Sequence, residues 1–442
     1  MSLDYPRNWH HGRTILLLTW LFAAVSYGAL FVGATYEGEG FAPRHLLLAL
    51  LSTQALLLAA ALLSHAKGVT ALTVLIEEKT KTFYWLALGL NLAALLVMSF
   101  SMRPWNDELN NLHQASYLAD NGLQQWWANY STVNAWMGPQ HPPLLALLYG
   151  LFYLVAGPHL LAGRLFNILF SMLSLMVGAR MIRRCTNETT AVLALLCWPI
   201  FPLWLFNGTA ALLESPFLLI FLLATDAFIQ FRHKSSARQA AIVGLWMTLG
   251  LMCRYNIALL FPCMFFLLAG PAHRWLLTQR RTWWIVGVPL LALAPLAGYA
   301  AVSNLLVIQA GPLASTLLLL RKGGLDYLIA FLLPLWPLHV GAQTLPILFL
   351  GFWALTRKTP DDLLLLTIGG AYFLVVLLLH PNPRYLVPAV PFIAAGIARL
   401  LQMLDTENMS AWAVWLGAVG SSIILTALVT AGANLGDFYP FY

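Results

Sequence analysis

Two adjacent carboxylates, Asp107 and Glu108, stand in Trp105-Asn106-Asp107-Glu108-Leu109, directly after an apolar run from Phe83 to Met102 that is long enough to cross a bilayer. Only 9 % of the chain is charged, so paired acids at the mouth of a span point to chemistry at a membrane surface. The polar stretch behind them closes on Gln140-His141-Pro142-Pro143-Leu144. Further along, Glu214 opens an apolar run in Leu213-Glu214-Ser215-Pro216, and Arg254 interrupts another in Cys253-Arg254-Tyr255-Asn256. His380 and Arg384 bracket prolines in His380-Pro381-Asn382-Pro383-Arg384-Tyr385. A carboxylate can take a proton from an acceptor hydroxyl as that oxygen attacks the anomeric carbon of a sugar. Arg254, Arg384 and His141 can clamp a phosphate through charge-assisted hydrogen bonds. A departing phosphate stabilised in this way needs no separate acid. The set therefore suits sugar transfer from a phosphorylated lipid.

Each residue also has a plainer reading. A carboxylate such as Glu214 is favoured at a helix N-terminus by the macrodipole. Arg254 can snorkel to the interface, Arg384 can meet lipid headgroups from a loop, and His141 can be a turn residue. What favours chemistry is that five distant segments bring these residues to one face, since ionisable residues in apolar segments are costly (~2.5–3.5 kcal/mol at the centre of a span) and usually mark function.

The elements that must hold them follow from composition. Hydrophobic residues make up 60 % of the 442, with 17 Trp and a mean hydropathy of +0.75. Runs of ~20 apolar residues recur throughout, each able to span ~30 Å of hydrocarbon as a helix. The expected architecture is an all-α polytopic membrane protein, one domain over 1–442, with about 13 transmembrane helices. The expected spans are 14–33, 45–63, 83–102, 160–182, 189–206, 211–231, 239–253, 255–270, 283–306, 328–355, 362–380, 385–403 and 411–431. With the N-terminus cytoplasmic, 17 Lys and Arg fall inside and 7 outside, as the positive-inside rule requires. That places Asp107, His141, Glu214, Arg254 and Arg384 together outside. The net charge of +7 then reflects loop placement rather than nucleic-acid binding. The four cysteines have no metal-like or paired spacing and read as buried free thiols.

Residues 103–157 form the large outer loop. Asp107 to Asn121, with Leu109, Leu112, Ser116 and Leu123 near helical spacing, reads as an amphipathic helix on the membrane surface. Trp126, Trp127, Tyr130 and Trp136 read as an interfacial aromatic belt. Pro142 to Ala156 is apolar but too short to cross, and reads as an interfacial or re-entrant helix.

Asp107-Glu108 in the first outer loop, His141-Pro142-Pro143-Leu144, and Gly163-Arg164-Leu165-Phe166-Asn167 opening a span resemble the GT-C superfamily of integral-membrane glycosyltransferases. The nearest branch is that of protein O-mannosyltransferases and lipid A aminoarabinose transferases. Leu213-Glu214-Ser215-Pro216, Gly250-Leu251-Met252-Cys253-Arg254-Tyr255 and Arg384-Tyr385-Leu386-Val387-Pro388 are similar to further motifs of that branch, in order over roughly 83–403. The resemblance implies a polyprenyl-phosphate-linked sugar donor, undecaprenyl phosphate in a bacterium, and an acceptor that is a lipid, glycan or protein. It implies Asp107 as the catalytic base and Glu108 and Glu214 shaping the acceptor site. His141, Arg254 and Tyr385 would lie against the lipid phosphate, and the active site outside the inner membrane. The chain departs from the pattern in a two-helix N-terminal addition (1–82), in histidine where aminoarabinose transferases have lysine before Pro142, and in having no large domain after its last span.

No cofactor is implied. Asp107, Glu108 and Glu214 could hold Mg²⁺ with waters, but the loop lacks the Asp-x-Asp of metal-dependent relatives. The alternative from another class is a transporter or flippase of a lipid-linked sugar. Transporters tend to carry ionisable residues near the midplane between internal repeats, whereas here the charges gather at one face and no repeat is visible. A non-catalytic lipid-binding partner of a larger assembly is the third reading.

Overall fold

The computed structural model describes residues 72–101, 104, 106–130, 143–302, 360–379 and 383–406. The expected spans 14–33, 45–63, 328–355 and 411–431, and His141, lie outside the described residues. Among the described residues every element is an α-helix or a 3₁₀ turn. In chain order the helices are α1 (Leu72–Glu78), α2 (Thr80–Ser101), α3 (Asn106–Tyr130), α4 (Leu144–Ala156), α5 (Leu160–Cys185), α6 (Glu188–Cys197) and α7 (Pro202–Thr209). There follow α8 (Glu214–Lys234), α9 (Ala237–Cys253), α10 (Leu260–Ala269), α11 (Arg274–Leu277), α12 (Trp284–Val302), α13 (Pro360–Leu379) and α14 (Val390–Thr406).

Three of these are long and apolar enough to cross a membrane: Thr80–Phe100, Leu160–Cys185 and Glu214–Lys234. The third is the central one. Its apolar window is 89 % buried inside the protein, against 33 % and 39 % for the other two. Helix α8 packs between α5 and α9, and α9 packs on α12. Phe217, Phe221, Phe228 and Phe231 of α8 are fully buried, with Phe221 edge-on to Tyr372 of α13 and to Phe392 of α14. Lipid tails are as apolar as these side chains, so association inside the membrane rests on close packing and on hydrogen bonds between helices. Asn91 supplies such bonds, donating from Nδ2 to Leu195 O at 3.1 Å and accepting at Oδ1 from Trp204 Nε1 at 3.3 Å. One side chain thereby ties α2 to α6 and α7.

Two expected spans are broken where proline breaks them. The run 189–206 is α6, a 3₁₀ turn at Trp198–Ile200, then α7. Pro199 and Pro202 lack the N–H that a continuous helix needs, and Phe201, preceding Pro202, is extended (φ −92°, ψ 108°) as pre-proline sterics favour. The run 385–403 likewise begins as a 3₁₀ turn, Pro383–Ala389, before α14. In the outer loop, α3 is kinked at Gly122 (φ 77°, ψ 168°), just past the expected end of the amphipathic helix. Its buried stripe is Glu108, Leu112, Ala115 and Leu118, while Leu109 and Leu123 are exposed. Trp126, expected at the lipid interface, is instead fully buried: it packs with Leu118 beneath Ala146 and Leu147 of α4. The four cysteines are buried and free.

Buried charge occupies two layers. At one end lie Glu108, Arg164, Glu214 and Arg254. At the other, Asp226 accepts from Arg180 at 2.9 Å, from Arg184, and from Gln230. There too Arg232 meets Asp361 at 3.2 Å and Arg399 grips Asp362 at 3.0 Å. Along α5 the 16 residues from Arg164 to Arg180 rise ~24 Å at 1.5 Å each, close to the ~30 Å hydrocarbon thickness.

Helices α9 and α12 meet at Gly244, where an added Cβ would stand 2.6 Å from the Trp284 carbonyl oxygen and 2.8 Å from Val288 Cβ. The nearest obstacle is backbone and has no rotamer to change. Gly244→Ala is expected to cost about 1–3 kcal/mol, read as a lowered thermal midpoint of the purified protein in detergent. An unchanged midpoint would show that α12 can slide.

Candidate functional site

Glu108 is the anchor of the first charged layer. It lies in the first turn of α3 and is 0 % exposed. Arg164, in the first turns of α5, meets it in a two-point fork, Nε to Oε1 at 2.9 Å and Nη2 to Oε2 at 2.8 Å. The third guanidinium nitrogen donates to Ser99 O at the end of α2, 2.8 Å away. Glu108 Oε1 also accepts the backbone N–H of Ala211 at 2.8 Å. One carboxylate thereby joins α3 and α5 to the turn that leads into α8, and Arg164 adds α2. A fork of this kind is the geometry in which a guanidinium binds a carboxylate most strongly. Close approach is possible because residue 163 is glycine. A Cβ there would stand 2.5 Å from Tyr153 Oη and 2.6 Å from Leu112 Cδ2.

Beside the pair runs a buried polar chain. Tyr149 Oη lies 3.0 Å from Asn167 Oδ1 and 3.2 Å from Leu212 O, sharing its single proton between them. Asn167 Nδ2 donates to Asn207 O at 3.0 Å and to Ser215 Oγ at 3.3 Å. Ser171 donates to Gly208 O at 2.7 Å, and Ser215 to Asn207 O at 3.1 Å. Burial first, then the neighbouring Tyr153 and the carboxylates Glu108 and Glu214, push the Tyr149 phenol well above its usual range. Tyr149 therefore stays a neutral donor, and its hydrogen bonds pin α4 over the start of α5 and α8. Tyr153 is pushed up likewise by burial and then by Glu108.

Glu214 is the first residue of α8 and 2 % exposed. Its position answers to the positive end of the helix dipole, and Arg254 Nη1 donates to its Oε1 at 2.9 Å. Arg254 sits in extended backbone (φ −162°, ψ 130°) between α9 and the 3₁₀ turn Tyr255–Leu259. The structure thus gathers Glu108, Glu214 and Arg254 from distant segments into one layer. Asp107 occupies the same first turn of α3 as Glu108. Arg384 and Tyr385 lie in the 3₁₀ turn Pro383–Ala389, which packs on α7, α8 and α13. Helix α13 starts at Pro360, next to the Asp361 that meets Arg232, and rises ~30 Å over its 20 residues, so the turn sits at the Glu214 end. His141 lies outside the described residues.

Sequence reasoning assigned no role to Arg164, Tyr149, Asn167 or Ser215. Arg164 and Asn167 do stand in the Gly163-Arg164-Leu165-Phe166-Asn167 motif, and an arginine inside the mouth of a span was the available signal. Its partner was not readable, because 56 residues separate it from Glu108. Among the described residues no three His, Cys, Asp or Glu gather as a metal-binding group.

Residues 140–299 match the family model for dolichyl-phosphate-mannose-protein mannosyltransferase, just over a third of the chain. No curated protein sequence matches. Among solved structures, the chain is similar to ArnT from Cupriavidus metallidurans in the apo state, with a TM-score of 0.51 and 14 % identity over 81 % of this chain and 76 % of that one. ArnT bound to undecaprenyl phosphate gives a TM-score of 0.52 at 14 % identity, over 79 % and 76 %. The Archaeoglobus fulgidus oligosaccharyltransferase tethered to an acceptor peptide with the NVT sequon gives 0.50 at 14 %, over 80 % of this chain and 56 % of that one. The resemblance to the GT-C superfamily is borne out, and the fold is that of a GT-C-like helical membrane protein.

A buried ion pair stripped of one partner leaves an uncompensated charge, costing about 3–5 kcal/mol. Arg164→Met and Glu108→Gln are each expected to destabilise the protein by that order, and the double variant to recover a large part. A double-mutant cycle on detergent stability checks this, and strict additivity would mean that the pair is not coupled.

Proposed function

We propose that this chain is an inverting glycosyltransferase that moves a sugar from a polyprenyl-phosphate-linked donor to an acceptor hydroxyl, with Asp107 as general base. The observation that carries the reading is the buried layer of Glu108, Arg164, Glu214 and Arg254 at one end of a GT-C-like bundle, with Asp107 in the same helical turn as Glu108. The family-model match over 140–299 supports sugar transfer from a lipid phosphate. The similar ArnT structure solved with undecaprenyl phosphate supports a polyprenyl carrier.

In the proposed reaction Asp107 takes the proton of the acceptor hydroxyl while that oxygen attacks the anomeric carbon from the face opposite the phosphate. The new carbon–oxygen bond forms as the bond to the phosphate oxygen breaks, and the polyprenyl phosphate leaves with the electron pair. The configuration at the anomeric carbon inverts. Arg254, Arg384, His141 and Tyr385 would hold the departing phosphate, their positive charge and donors stabilising it where it develops. Glu214 would orient Arg254, and Glu108 would hold the first turn of α3. Acceptors are lipids, glycans or proteins. We place the active site on the extracytoplasmic side of the plasma membrane, with the N-terminus cytoplasmic, because that orientation puts the basic ends of α5 and α8 inside.

Asp107→Asn removes the base and keeps the shape. Loss of a general base lowers turnover by about 10²–10⁴-fold, so transfer from synthetic polyprenyl-phosphate sugars in liposomes should fall by that factor while donor affinity stays within about two-fold. Wild-type turnover in the variant would remove Asp107 from the role. Binding without turnover by either protein would favour a carrier of lipid-linked sugar.

A further inference from the structure

At the bundle end opposite the Glu108–Glu214 layer, α10 and α12 are joined by a compact hairpin, His273–Trp284, made of α11 and the 3₁₀ turn Arg280–Trp283. Its place is fixed from inside. Leu276 and Thr282 are fully buried, and Thr282 Oγ1 donates to Leu276 O at 2.5 Å. His273 lies close enough to Arg232, His233 and Asp361 to feel their charges, which sets the hairpin beside the end of α8. Around this pinned spine the outer side chains are of two kinds. Trp275, Trp283 and Trp284 are 48 %, 56 % and 46 % exposed. Arg274 and Arg280 are exposed as well, and the Arg281 guanidinium lies over the Trp275 ring, 6.0 Å from its centroid.

Among the described residues the charge here is uncompensated. Residues 227–302 contain no Asp or Glu. Of the cations in that stretch, Arg232 pairs with Asp361 and Arg254 with Glu214. Among the described residues Lys234, Arg238, Arg274, Arg280 and Arg281 have no ion pair, and Arg281 Nε is buried without a hydrogen-bond partner among them. The hairpin joins two apolar helices, so it sits where the hydrocarbon ends. Tryptophan favours that depth because its ring is apolar and its N–H polar. Arginine there meets phosphodiesters, and clustered basic residues beside spans attract anionic lipid.

We propose that the His273–Trp284 hairpin is a docking surface for the headgroups of anionic phospholipids in the leaflet opposite the Glu108–Glu214 layer. The guanidinium groups of Arg274, Arg280 and Arg281 take the lipid phosphates, and the three tryptophans seat among the glycerol and upper acyl groups. Tryptophans alone would bind zwitterionic and anionic lipids alike, so the charge preference is the signature of the arginines. This inference is independent of the chemistry assigned to Asp107.

The test uses the full-length protein, with retained phosphatidylglycerol and phosphatidylcholine counted by native mass spectrometry from mixed micelles at several salt concentrations. Wild type is expected to prefer phosphatidylglycerol by at least about ten-fold, with the preference falling as salt rises. The R274Q/R280Q/R281Q variant should lose that preference, and R274K/R280K/R281K should keep most of it. Should the glutamine triple not yield monodisperse protein, Arg280→Gln alone, at an exposed side chain, is expected to weaken the preference about five-fold, which is ~1 kcal/mol per basic residue. No preference in wild type, or full preference in the glutamine variant that folds, overturns the proposal.

Discussion

A carboxylate and a guanidinium, both removed from water, set the terms for the upper half of this molecule. Glu108 and Arg164 are 0 % and 3 % exposed, and charges so placed are tolerable only when nearly every lone pair and proton is matched. The match demands four pieces of chain at once: the end of α2 through Ser99, the start of α3, the start of α5, and the turn before α8 through Ala211. None can move by much without exposing charge to a medium that solvates it poorly. The polar chain through Tyr149, Asn167 and Ser215 extends the same constraint to α4 and α8. A rigid polar mouth at the end of an apolar bundle is the result.

The opposite end solves the same physical problem differently. Asp226, Asp361 and Asp362 are each gripped by arginine, but several of those arginines remain partly exposed: the Arg180 side chain is 42 % accessible and that of Arg184 35 %. Here the ion pairs border solvent and headgroups, where screening lowers their strength. The two layers differ in character accordingly. The first is sealed and geometrically determined. The second is open, with arginines that remain partly accessible.

The apolar runs 83–102, 160–182, 211–231 and 239–253 were legible as helices to within a few residues, because apolar segments in a bilayer pair their backbone internally and so are encoded locally, although the last is shorter than a full crossing. The breaks at Trp198–Ile200 and Pro383–Ala389 were less so. Proline was visible in both, yet a run containing proline can kink, break or continue according to what its neighbours supply. Trp126 shows the limit of residue type as a guide. Tryptophan favours the interface when it is free to choose, and here α4 closes over it.

By itself the sequence determined the class of protein and the candidate chemistry: helices across a membrane, and acidic and basic residues placed at their ends. Local composition is sufficient for both, since a backbone crossing hydrocarbon pairs within its own helix and ionisable residues are rare inside apolar runs. Only the tertiary structure decided which charges meet. Glu108 pairs with Arg164 across 56 residues and Glu214 with Arg254 across 40, and no local rule distinguishes those pairings from the others that opposite signs allow. The choice is made by helix packing, through the glycine at 163 and the tyrosine at 149, which bring the correct turns within hydrogen-bonding distance.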